Sequence, residues 1–322
     1  VWRPDRALIG PRRATPADVE ALNTVFSETF TDRYRRDGLA GVRVPPLNPL
    51  VWHYAMRDAG DGAMLWLDEH DDIVAFNVAH RSGSEGWMGP LAVRLDRQGL
   101  GVGGIIVRAA LDWLEQRNVS TIGLETMPRT LDNIGFYSRL GFDPAPLTVT
   151  MTGEASHHRV AGDWIALSRL DDSERADLMQ RCTERIDRSL PGRDYRREMD
   201  LTQELRLGDT LVFERGGVVL GFVVWHGIAL AANRPADEVR VLKLFADSNV
   251  SFERVLVALE ATAAARRLPR VAIRCQSGYA EAYRSLIARG YRVRWTDLRM
   301  TRVGFPEQCP PAGEIVFSNW EI

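Results

Sequence analysis

Four glycines fall within six positions at Gly99-Leu100-Gly101-Val102-Gly103-Gly104, directly after Gln98 and ahead of an apolar helical stripe. So few side chains leave backbone N–H groups bare where a helix begins. Those first N–H groups have no partner inside the helix, and the helix dipole adds positive potential, so the loop is an anion site with phosphate as its natural occupant. Two patterns share these residues. Gly99, Gly101 and Gly104 spell G-x-G-x-x-G, the dinucleotide fingerprint, whereas Gln98, Gly101 and Gly103 spell Q-x-x-G-x-G. A dinucleotide fold turns directly from its first strand into the glycines and carries an acidic residue about 20 positions on. Glu125 stands near that distance, but Arg94-Leu95-Asp96-Arg97 separates the glycines from the apolar strand Gly89 to Val93, and a long stretch of chain precedes that strand. The dinucleotide reading is therefore the weaker of the two.

Downstream, Asn133 to Phe142 reads as a short helix ended by Gly141 and followed by a strand. The ordered set QGLGVG, helix, strand, helix and FYSRLGF, over roughly residues 88 to 143, resembles the GNAT superfamily of acyl-CoA-dependent N-acetyltransferases. The resemblance implies acetyl-CoA as cosubstrate and no metal. Backbone N–H groups of Gln98, Gly99, Leu100, Gly101, Val102, Gly103 and Gly104 would hold its pyrophosphate. The backbone of Leu91, Ala92 and Val93 would pair with pantetheine as an added strand. An N–H at the splayed end of that strand would polarise the thioester oxygen. Tyr137 matches the tyrosine that protonates the departing thiolate; a phenol of pKa about 10 can stay protonated at neutral pH and give its proton to a thiolate whose parent thiol lies near about 8.5. Asn133 is a further cofactor candidate, although the family more often uses the position occupied here by Thr130. For the base that accepts the amine's proton, Glu125 and Glu85 are the candidates, with His80 nearby on a bordering strand and a water chain as the alternative.

The flanking pattern fits that fold. Ile9 to Arg13 is a first strand, and Thr15-Pro16 opens a helix with Val19, Leu22, Val25 and Phe26 at helical spacing. A second polar helix runs from Asp32 to Arg36, and Trp52, His53 and Tyr54 lie on a third. Phe30, Tyr34, Trp52 and Tyr54 would then line the acceptor pocket or simply fill the core. Met64 to Leu67 and Ile73 to Val78 make a hairpin about Asp68 to Asp72, a turn whose charges read as solvated. Ile106, Ala109, Ala110, Trp113 and Leu114 give the helix after the glycine loop its buried stripe. Leu147 to Met151 closes this unit, and Gly153 to Asp163 reads as a linker.

The pattern then begins again. A second hairpin sits 146 residues on, with Phe222 matching Phe76 and His226 matching His80, and Gly290 follows Gly141 at an offset of 149. Where the glycine loop should recur, the chain reads Ala246-Asp247-Ser248-Asn249, with no glycine and with a carboxylate that repels phosphate. Leu286 stands where Tyr137 does. The expected architecture is α/β of α+β type: two tandem GNAT-like domains, residues 1–155 and 156–322, each a mixed, mostly antiparallel twisted sheet flanked by helices. The first is expected to be active. The second is expected to have lost its acyl-CoA site and to serve the structure or the acceptor pocket. Mycothiol synthases resemble this arrangement, but in that family the C-terminal copy carries the activity. The ending, Gly313 to Ile322, has a strand pattern that would tie the halves together.

At 322 residues, with 45% hydrophobic and 26% charged residues, the chain has room for two cores. A net charge of -2 and a pI near 6.4 give no electrostatic case for nucleic acid or an anionic membrane. Cys182, Cys275 and Cys309 lack paired spacing, and no apolar run approaches the eighteen or so residues that span a bilayer. The expectation is a cytoplasmic monomer or homodimer acting on a small-molecule or peptide amine, with a non-catalytic ligand-binding module as the alternative.

Overall fold

The computed structural model describes residues 7–156 and 164–320. The first half runs β1 (Ile9–Arg13), α1 (Val19–Arg36), α2 (Pro49–Ala59), β2 (Ala63–Leu67), β3 (Ile73–Ser82), β4 (Glu85–Val93), α3 (Val102–Glu115), β5 (Thr121–Thr126), α4 (Leu131–Arg139) and β6 (Phe142–Glu154). The second runs β7 (Trp164–Ala166), α5 (Asp172–Ser189), α6 (Arg196–Glu204), β8 (Gly208–Arg215), β9 (Val218–His226), β10 (Glu238–Ala246), α7 (Asn249–Ala265), β11 (Arg270–Gln276), α8 (Ala280–Ala288), β12 (Arg292–Arg302) and β13 (Ile315–Ser318). No helix among the described residues is long and apolar enough to cross a membrane.

The two halves repeat each other in register. β4 pairs parallel with β5 from Glu85↔Thr121 to Met88↔Leu124, and β10 pairs parallel with β11 from Glu238↔Arg270 to Arg240↔Ala272. Each of these strands also carries a bulge against its hairpin partner, between Met88 and Leu91 in β4 and between Val241 and Lys243 in β10. The sheet is mixed and mostly antiparallel, flanked by helices on both faces, as expected.

Two elements depart from the sequence reading. The segment 19–36 is one unbroken helix, because Arg36–Asp32 and Arg33–Asp37 pairs four residues apart support its polar second half. More consequentially, β6 does not close its own unit. The strands form a single 13-stranded sheet in which β12 lies between β5 and β6, and β6 in turn pairs with β11. Leu298↔Thr126 and Thr301↔Gly123 fix one side of this exchange, and Thr148↔Gln276 and Glu154↔Arg270 fix the other. Each half thus receives its last strand from the other. A local reading cannot see this, since β6 and β12 alternate alike and either would satisfy β5.

The cores sit on both faces. Leu22, Phe26, Trp52, Ala55 and Phe76 pack α1 and α2 on one face, and Val107, Leu111, Leu114 and Tyr137 pack α3 and α4 on the other. In the second half α7 buries Phe252, Val255, Leu256 and Leu259, while Leu178, Cys182 and Ile186 bring α5 onto the opposite side. Fully burying side chains of this size stabilises by about 1.5–3 kcal/mol each. The α2–α6 contact joins the halves on the face where the site lies.

Candidate active site

Pairing between β4 and β5 stops at Met88↔Leu124, and the strands separate. The bulge at Gly89-Pro90 causes this, because its extra residue bends β4 away from its parallel neighbour. A cleft of about 240 Å³ opens there. The N–H of Arg94 donates to the carbonyl of Val74, so Arg94 and Ala92 turn their backbone groups toward β3. By alternation Leu91 and Val93 turn theirs into the gap. The carbonyl of Val93 is already taken by the Gln98 side chain at 2.9 Å, which leaves the N–H groups of Leu91 and Val93 for an extended guest. Ala92 faces the other way, and its side chain belongs to the core against α1 and α2.

The glycine loop follows β4 and leads into α3, and residues 98–104 are not among those that line the cleft. Gly99 and Gly101 have φ of 74° and 86°, conformations that penalise any side chain, and Gly101 is the N-cap of α3. Gly103 makes room for Phe136, whose ring would lie 3.3 Å from a Cβ there. The loop is tethered from behind: Arg94 reaches Asp68 at 2.9 Å and Asp96 at 2.7 Å, and Arg97 is buried beside Asp68. Asp68 is therefore not a solvated turn residue. It is buried, caps the hairpin turn through the N–H groups of His70 and Asp72, and holds the arginines that precede the glycines. Burial acts to raise its pKa, and Arg94 with the two turn N–H groups more than offsets this, so its carboxyl lies below the usual range.

Tyr137 stands on α4 and lines the cleft. Burial pushes its phenol well above the ordinary value, which keeps the proton on oxygen. Asn133 lines the cleft one turn earlier, whereas Thr130 is buried and bonded to Asp37 at 2.5 Å. Of the two positions, Asn133 is the one whose residue lines the cleft.

The two carboxylates part company. Glu125 lines the cleft, but it is clamped by Arg274 of β11 and Arg299 of β12 and accepts from Thr148. Burial acts to raise its pKa, and the two guanidinium groups outweigh that, so its carboxyl lies below the usual range. Glu85 is fully buried, paired with Arg193 and bonded by Ser318 at 2.6 Å, and is not among the cleft-lining residues. His80, by contrast, lines the cleft. Its Nδ1 lies 2.6 Å from Asp58 of α2, and its Nε2 is buried without a hydrogen-bond partner. Phe30 and Tyr34 line the cleft too, while Trp52 and Tyr54 are core residues.

The second half supplies the rest of the walls: Arg274, Trp295, Asp297, and the tail Ser318-Asn319-Trp320. Trp295 meets Tyr34 edge-on at 5.7 Å, and Trp320 lies 5.7 Å from Trp87 and 5.9 Å from His80. Apart from the expected strand at the chain end, no local signal marks these residues: the strand exchange brings β12 beside β5 and β11 beside β6, and the pairing of β13 with β10 brings the tail. In the second half the matching gap beyond Arg240 is filled. There β13 pairs antiparallel with β10 from Lys243↔Ser318 to Ala246↔Ile315. The start of α7 is likewise closed by its own side chains: Ser248 accepts from the N–H of Ser251, and the Ser251 hydroxyl donates to Asp247. Among the described residues no cluster of side chains is suited to a metal ion.

These features agree with the comparisons. Residues 23–142 match the model of the acetyltransferase (GNAT) family. No curated protein sequence matches the chain significantly. Among solved structures, a putative acetyltransferase from Pyrococcus horikoshii superposes with a TM-score of 0.68 at 18% identity, covering 99% of this chain and 96% of that one. The N-myristoyltransferase of Saccharomyces cerevisiae with bound myristoyl-CoA gives 0.64 at 9% identity, over 96% and 85%. A tandem GNAT protein from the clavulanic acid biosynthesis pathway gives 0.60 at 10% identity, over 94% and 100%. The chain has the GNAT acetyltransferase fold, carries that family's sequence pattern over residues 23–142, and is classed with the acyltransferases.

Proposed function

We propose that residues 1–155 are an acetyl-CoA-dependent N-acetyltransferase acting on a primary amine in a direct ternary complex, and that residues 156–322 form a degenerate copy that completes the acceptor pocket. The observation that carries this is the contrast between the two gaps. The gap beside β4 is open, is followed in the chain by a glycine loop and presents two spare N–H groups, whereas the gap beside β10 holds β13. The residues fit an acyl-CoA: the loop N–H groups suit the pyrophosphate, and Leu91 and Val93 suit the amides of pantetheine. An N–H at the splay would polarise the thioester oxygen, and the buried phenol of Tyr137 would protonate the departing sulfur. Asn133 joins the cofactor contacts. The acceptor is a small-molecule or peptide amine bound where Phe30, Tyr34 and Trp295 line the cleft.

Calorimetric titration of acetyl-CoA into the wild type and Gly101→Glu tests this. One site per chain, lost in the variant, is expected. Two sites would overturn the closure of the second gap, and no binding would leave a non-catalytic module in place of an enzyme.

A further inference from the structure

His80 and His226 occupy matching positions on β3 and β9, but only His80 borders an open cleft. His226 bonds Thr202 through Nε2 at 3.0 Å, and β13 occupies the gap beside its strand pair. His80 instead faces the fully buried Asp58 through Nδ1. Burial acts to raise the pKa of Asp58, but His80, Arg197 and Lys243 more than offset it, so the carboxylate is the acceptor and Nδ1–H the donor. In the neutral imidazole this leaves the lone pair on Nε2, the nitrogen without a partner. A buried polar atom with no partner is costly unless a guest supplies one.

The charged groups packed near His80 are Asp58 from α2, Glu85 from β4, Glu198 and Arg197 from α6, Arg193 ahead of α6, and Lys243 from β10. Trp320 lies 5.9 Å from the His80 ring and is itself backed by Trp87 at 5.7 Å.

We propose that Nε2 of His80 is the catalytic base that takes the acceptor's proton, and that Asp58 is its positioning residue. The assignment rests on the acetyl-transfer reading above. An ammonium ion gives one proton to Nε2; its freed lone pair attacks the thioester carbon, forming C–N as C–S breaks. The sulfur leaves with the bonding pair and takes the phenol proton of Tyr137, and the second proton of the nitrogen returns to the phenolate. The products are the amide, free CoA thiol and a protonated His80.

Two probe amines separate this role from a structural one. Phenethylamine is an ammonium ion at pH 7.5 and needs a base, whereas hydroxylamine is already neutral. Release of CoA thiol is followed for each, with acetyl-CoA binding measured separately. His80→Gln is expected to slow phenethylamine transfer by about 100-fold or more while hydroxylamine transfer changes little, since positioned bases contribute about 10²–10⁴. Asp58→Asn is expected to move the acid limb of kcat/KM for phenethylamine to lower pH and leave hydroxylamine unaffected. Should Asp58→Asn not fold, the pair of rates for His80→Gln decides. Equal loss with both amines, or no loss with either, overturns the base assignment, as does a wild type that acetylates hydroxylamine alone. Acetyl-CoA that does not bind the wild type overturns the transfer reading instead, and binding without transfer to either amine overturns both.

Discussion

Glu125 has three hydrogen-bond donors around one carboxylate, and that crowding decides what it can do. Arg274, Arg299 and Thr148 occupy its oxygens, so it is poorly suited to accept a proton from substrate and well suited to hold β5, β11 and β12 together. Its folded pKa lies below the unfolded value, so between the two values the unfolded chain binds the extra proton. The stability it contributes is present above about pH 4.5 and is lost as pH falls through the folded value. Glu125→Gln should flatten the acid side of a plot of Tm against pH, and should cost about 3 kcal/mol at neutral pH because the buried Arg299 and the half-buried Arg274 lose a partner. Tyr137 predicts a different pH behaviour. Since burial raises its phenol, activity should not decline through phenol ionisation up to about pH 10. Tyr137→Phe should lower kcat by about 100-fold with the acetyl-CoA Kd unchanged, as stopped-assay thiol release and calorimetry would record.

At the scale of elements, the bulge opens the gap beside β4, and the glycine loop follows that strand into α3. Gly101 is the sensitive position because its φ is 86° with open space around it, so the cost of a side chain there is backbone strain rather than collision. Gly101→Ala should destabilise by about 1–2 kcal/mol in thermal or denaturant unfolding and weaken acetyl-CoA binding. The loop, both hairpins, α3 and the short helix with Tyr137 were legible because each is set by residues within one or two turns of chain. Thr15, for example, bonds Asp18 side chain at 2.7 Å through its N–H, three residues away. The bend that opens the gap was not legible, because Gly89-Pro90 reads as strand until the register against β3 shows the extra residue. Nor was the role of Asp68, which depends on Arg94 from a different hairpin arm. His80 was visible as a histidine at a hairpin end, but only the packing of α2 supplies Asp58. The site's outer wall was least legible of all, since Trp295, Asp297 and Trp320 arrive from the far end of the chain.

Taken as a whole molecule, the protein has two halves of matching strand order that interleave β12 and β6 in one sheet, with β13 paired beside β10. Glu125 and Arg274 are equivalent residues of the two copies, and they meet as an ion pair across the seam. Removing residues 313–322 would withdraw Ile315, Val316 and Phe317 from buried sites and Ser318 to Trp320 from the cleft floor. At about 1.5–3 kcal/mol for each large buried apolar side chain, the truncated chain should show a much lower denaturant midpoint and no transfer activity. The exchange also sets a schedule for biosynthesis. When β5 and β6 have left the ribosome, the partners that will cover their edges, β12 and β11, are still unmade. At about 5–20 residues per second those edges wait on the order of 10 s, long enough to be a substrate for chaperones and a hazard for aggregation.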